Sequence, residues 1–80
     1  MKSVSIRVRQ TTSRVPFRGG TYRAQLERDD SADFAVLGTT RGHETWAAAA
    51  AAALRLADQR GYIVTHRPLV EKRIRKEGGL

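Results

Sequence analysis

The chain predicts an α+β domain in which three or four antiparallel strands pack on one main alanine-rich helix. Two observations carry this: apolar and polar residues alternate in three successive segments before residue 40, and seven uninterrupted alanines follow at 47–53. Residues 3–10 place Val4, Ile6 and Val8 on one side and Ser3, Ser5, Arg7 and Arg9 on the other, the pattern of a half-buried strand. Residues 11–20 hold Thr11, Thr12, Ser13, Pro16, Gly19 and Gly20, a loop composition that exposes Arg14 and Arg18. Alternation resumes over 21–28, with Tyr22, Ala24 and Leu26 inward and Arg23, Gln25 and Glu27 outward. A hairpin turn at Asp29, Asp30 and Ser31 leads to a third strand over 33–39, expected to bury Phe34 and Val36 and to turn Ala35 and Leu37 away.

A connector at 38–42 precedes the strongest helix signal, residues 44–60, where alanine supplies the best helical propensity and Gly61 a C-terminal stop. On a helical wheel Trp46, Ala49, Ala50, Ala53 and Ala57 form one stripe flanked by Leu54 and Leu56, with Arg55, Asp58 and Gln59 opposite. Trp46 is expected in the core, closing the sheet end of the helix, with Ala48 and Ala51 facing outward. Residues 62–65 have the chemistry of a short fourth strand. Pro68 can start a helical turn over 68–76, with Leu69, Val70 and Ile74 inward and Lys72, Arg73, Arg75 and Lys76 outward.

Eighty residues make one domain, 1–80, with a small core. The chain has no cysteine, so neither a disulfide framework nor a thiolate metal site is open to it, and a cytoplasmic protein is expected. Its N-terminus lacks the apolar segment of a signal peptide, and no run approaches the roughly 18 apolar residues of a membrane span, so no membrane partner is expected.

The formal net charge of +7 is unevenly spread: residues 1–23 hold six bases and no acid, 24–58 three bases against six acids, and 59–80 six bases against two. Such blocks attract an anionic partner more than scattered charge does. The candidate binding residues are therefore Arg7, Arg9, Arg14, Arg18 and Arg23, with Lys72, Arg73, Arg75 and Lys76 as a second group. An outward row of Arg7, Arg9 and Arg23 can enter a DNA major groove, where arginine pairs with guanine or phosphate; equally, alternating arginine keeps the outer face of a one-sided sheet wet. Terminal charge runs can grip phosphate or simply be solvated. His43, Glu44 and His66 offer neither convergent metal ligands nor a placed nucleophile, so no catalytic residue, metal or cofactor is expected. Asp29, Asp30 and Asp33 lack the spacing of a calcium loop.

Three strands followed by an alanine-rich helix resembles the ethylene-response-factor type of DNA-binding domain and the arm-binding domain of phage integrases. The resembling stretches begin Gly20-Thr21-Tyr22-Arg23-Ala24, continue with Val36-Leu37-Gly38-Thr39 and end with Glu44-Thr45-Trp46, about half the chain. That resemblance implies DNA reading by Arg7, Arg9, Arg18 and Arg23 through the sheet; the departure is the acidic turn beside it. A double-stranded-RNA-binding domain is less similar, having lysines where this chain has alanines 47–53.

Gly20-Thr21-Tyr22, then Leu26-Glu27-Arg28-Asp29, the alanine helix and Gly61-Tyr62-Ile63-Val64 together look like one of the small phage-encoded anti-CRISPR proteins that inhibit type I surveillance complexes. Some of these are stand-alone chains of this length, and this one is read as complete at eighty residues. The resemblance implies a non-enzymatic inhibitor in a bacterial host cell. It would dock on a Cas protein or ribonucleoprotein complex, as monomer or homodimer, and block DNA binding or nuclease recruitment. A DNA-binding module, contacting DNA or RNA directly, is the alternative.

Overall fold

The computed structural model describes residues 2–11, 19–29 and 35–77. Its elements run β1 (Ser3–Gln10), β2 (Tyr22–Arg28), β3 (Val36–Thr39), α1 (Trp46–Gln59), β4 (Ile63–Val64) and α2 (Arg67–Glu77). The sheet order is β3-β2-β1-β4. The α+β class and the packing of the sheet on one main helix hold as expected. Strands β1 and β2 pair antiparallel from Val4 opposite Arg28 to Gln10 opposite Tyr22. Their inner face supplies the fully buried Val4, Ala24 and Leu26, with Ile6, Val8 and Tyr22 packed around them.

The fourth strand corrects one detail. β4 lies parallel to β1, with Ser3 opposite Ile63 and Val4 opposite Val64, so the sheet is mixed rather than wholly antiparallel. The cause is the helix between β3 and β4. A 14-residue helix returns the chain by about 21 Å to the end of the sheet where β3 began, and a strand entered there runs the same way as β3 and β1.

A second correction concerns the phase of β3. Val36 is 50% exposed and pairs with Glu27 on the outer face, whereas Leu37 packs against the core. Leu26 opposes Gly38 while Glu27 opposes Val36, so Leu37 is an extra residue that the alternation did not anticipate. Phe34 lies outside the described residues. At Gly38 the Arg60 guanidinium and the Leu56 side chain close over the strand, so that a Cβ there would stand 2.9 Å from Arg60 Nη1 and 3.2 Å from Leu56 Cδ2.

Helix α1 begins at Thr45, whose hydroxyl accepts from Ala48 N at 3.1 Å, and not at Glu44. It ends in a Schellman turn: Tyr62 N donates to Ala57 O at 2.9 Å and Gly61 N to Asp58 O at 3.2 Å, with Gly61 in the left-handed region at φ 72°. Ala49, Ala50, Ala53 and Ala57 are completely buried, so the small side chains let the helix lie close on β1 and β2. Helix α2 packs beside α1 and sends Val70 and Ile74 to the core. Leu69, expected inward, is 64% exposed instead, because the face that meets α1 is carried by Val70 and Ile74. Trp46 is also placed differently from expectation. It is half-buried outside the core cluster, because Arg73 of α2 lies over its ring, 4.0 Å from the centroid.

Candidate functional site

Both helices lie on the Val4, Ala24 and Leu26 side of the sheet, and among the described residues no element packs on the other side. Strand alternation puts Ser3, Ser5, Arg7 and Arg9 of β1 on that open face, beside Arg23, Gln25 and Glu27 of β2. Arg9 stands directly opposite Arg23, and Arg7 opposite Gln25. Arg7 faces solvent, its side chain 67% exposed and its Nη1 3.9 Å from Glu27 Oε2. Two arginines facing each other across neighbouring strands repel, an arrangement that costs stability unless something anionic lies between or above them. Gln25 is buried between its register neighbours Arg7 and Thr39.

The opposite end of the same face has different chemistry. The Asp29 carboxylate accepts from the hydroxyls of Ser5 and Thr65, and its backbone N–H donates to Ser3 O at 3.2 Å. This aspartate joins β2, β1 and the residue after β4. Its negative charge is thus held at one end of the sheet by structural hydrogen bonds, while the arginines occupy the other. The two edge strands add exposed aliphatic side chains, Val36 on β3 and Ile63 on β4, the latter 51% exposed. The face is therefore basic at one end, carboxylate and hydroxyl at the other, and apolar at two points on its margins.

Of the residues predicted from the sequence, Arg7, Arg9 and Arg23 are brought together on this face. Arg14 and Arg18 lie outside the described residues. Lys72, Arg73, Arg75 and Lys76 are exposed on α2, in the helical layer away from the open face, so the two basic groups do not form one surface. Arg73 is partly spoken for: besides covering Trp46 it donates from Nε to Glu77 at 3.2 Å. A groove of about 600 Å³ opens beside this pair, lined by Val8, Tyr22, Glu44, Trp46, Arg73 and Glu77 among others.

Sequence reasoning missed Arg67. Its guanidinium forks onto Asp58 at 2.8 and 2.9 Å and reaches Glu71 at 3.3 Å, fastening α2 to α1. The hydrogen bond from Arg67 holds the Asp58 carboxyl below the usual carboxylate range, against a small opposing effect of burial, and the same bond raises the Arg67 pKa. The signal was available only in three dimensions, since the two residues are nine apart across the Gly61 turn. His43 was noticed but not its surroundings. Its backbone bridges to Tyr22 at 2.9 and 2.6 Å, and burial first, then the nearby Arg41 and Arg55, lowers its pKa from 6.5.

Among the described residues no group of three or more His, Cys, Asp and Glu side chains is arranged to hold a metal ion, and no helix is long and apolar enough to cross a membrane. Comparison with protein-family models, curated proteins and solved structures finds no match to this chain.

Proposed function

We propose that the protein is a non-enzymatic binding module that docks through its open sheet face on a Cas subunit or surveillance complex, and acts as an anti-CRISPR inhibitor by blocking DNA binding or nuclease recruitment. The observation that supports this reading is the polarity of the face. A surface built for duplex DNA alone is best served by uniform positive charge; here Arg7, Arg9 and Arg23 share a sheet with Glu27 and Asp29, and Val36 and Ile63 stand exposed at its edges. Mixed charge with small apolar contacts suits a protein or ribonucleoprotein surface, where complementary potentials set register and raise the association rate.

Direct nucleic-acid binding is the second reading, favoured by Arg7 and Arg9, which stand exposed in phase on β1 where they can reach phosphates. Purified type I surveillance complexes of several subtypes and a random DNA duplex separate the two. On the inhibitor reading the protein co-elutes with at least one complex, and binds duplex only weakly. Co-elution with none of the complexes removes that reading. Duplex binding whose log-log salt slope is about −3, as three phosphate contacts would give, transfers the face to nucleic acid.

A further inference from the structure

We infer that the groove between the β3-to-α1 connector and α1 is a phosphate-binding site, in which Arg41 and Arg55 grip the oxyanion beside the His43 imidazole. The groove has a volume of about 300 Å³ and is lined by Thr39, Thr40, Arg41, His43, Arg55 and Gln59, with Ala52 and Leu56 as its apolar floor on α1. No carboxylate lines it. Apart from Thr39 at the sheet edge, none of these residues belongs to the open sheet face, and Arg41, His43 and Arg55 play no part in the docking reading above.

The connector that carries Arg41 and His43 is held firmly. Thr40 Oγ1 accepts from Ala24 N at 3.0 Å and donates to Arg41 O at 2.8 Å, and the Tyr22 to His43 bridge ties the next residues to β2. Gly20 lies so close beneath that a Cβ on it would stand 2.2 Å from the His43 carbonyl carbon. Arg55 and Gln59 are one helical turn apart on α1 and line the same groove.

Charge distinguishes this cluster from the arginines that the fold pairs with acids. Arg7, Arg67 and Arg73 each have a carboxylate within 4 Å, whereas among the described residues Arg41 and Arg55 make no ion pair. Arg55 also borders the gap toward α2, but both acids there, Asp58 and Glu71, are already held by Arg67. Glu44, next to His43 in sequence, lines the Trp46 groove instead. Both guanidiniums are near enough to His43 to add to the effect of burial in keeping its imidazole from protonating. Two unneutralised guanidiniums in fork geometry are the donors that a tetrahedral oxyanion takes in pairs. A bound phosphate would satisfy them and reverse the local field, so that His43 would gain a proton more easily. The phosphate can come from a free phosphorylated small molecule or from a polynucleotide backbone; the groove is open enough for either.

The test is an NMR titration of the whole chain at constant ionic strength, following the His43 ring and the backbone amides of 41, 43, 55 and 59, with inorganic phosphate in one arm and a short DNA duplex in the other. The expected result is a saturable response confined to these signals, with the His43 pKa rising by roughly half a unit or more on binding. Saturation by inorganic phosphate assigns the site to small phosphorylated ligands; a stronger response to duplex, weakened when the titration is repeated at higher ionic strength, assigns it to the backbone. The double variant Arg41→Gln, Arg55→Gln should weaken binding at least about tenfold. In the free protein it should also move the His43 pKa up toward 6.5, which loss of folding alone would not reproduce in an otherwise native spectrum. No saturable response to either probe, or a response that the double variant leaves unchanged, overturns the assignment.

Discussion

On α2, Arg67 forks onto Asp58 and Arg73 lies over Trp46, whereas on the open sheet face Arg7 reaches its carboxylate only at 3.9 Å and Arg9 stands opposite another arginine. Both regions are basic and rich in arginine; their geometry differs. Arg67 and Arg73 join the two helices, and their charges are answered within the fold. On the sheet, Arg7 is answered only at 3.9 Å and Arg9 faces an arginine, on a face that no described element covers. A basic count along the chain cannot tell these cases apart, because what separates them is which acid or ring the fold brings within reach.

The largest expected effect lies in the seam on which both regions are mounted. Leu26→Ala removes a completely buried side chain from the contact between sheet and helix and should cost about 3 kcal/mol in urea unfolding, far more than any change in either basic region. A loss below about 1 kcal/mol would mean that the seam is not the core. Next comes the contact between Trp46 and Arg73. A double-mutant cycle with Trp46→Phe and Arg73→Ala should give a coupling of about 0.5–1 kcal/mol, and strict additivity would deny that Arg73 is part of the fold.

Arg67→Ala should lower the melting temperature by a few degrees at neutral pH and lose that effect in acid. The folded Asp58 carboxyl titrates below its ordinary 3.8, so the stability it contributes is complete above that value and disappears as pH falls through the lowered folded pKa. Wild type and variant should therefore converge in acid, and a constant difference at all pH values would show that Arg67 acts by packing alone. The smallest effect is expected from Arg9→Ala. Removing one member of a like-charged facing pair should leave stability unchanged or raise it by up to about 0.5 kcal/mol, while a clear loss would mean that Arg9 is structural.

Much of this architecture is legible in the residues themselves. The alternation of Val4, Ile6 and Val8, the alanine stripe at 49, 50, 53 and 57, and the Gly61 stop each report a local periodicity or backbone requirement, and the elements form where those signals lie. What is not legible depends on contacts between distant segments. The bulge at Leu37 reverses the expected phase of β3 because register is set by pairing with β2. Trp46 is covered by a residue 27 positions later. The same holds for the candidate sites. Arg7, Arg9 and Arg23 share a face that strand phasing predicts, but the grouping of Arg41, His43 and Arg55 needs a connector folded back on β2, and no spacing in the chain announces it.

The difference between the two basic regions is tested most directly by measuring, side by side, the affinity of two charge-reversed proteins for a purified type I surveillance complex. One carries Arg7→Glu, Arg9→Glu and Arg23→Glu; the other carries Lys72→Glu, Arg75→Glu and Lys76→Glu, sparing the arginine on Trp46. The expected result is a loss of roughly tenfold or more for the sheet variant and a change within about threefold for the α2 variant, with both proteins folded. Loss confined to the α2 variant, or wild-type affinity in the sheet variant, would contradict the assignment of the open sheet face as the docking surface.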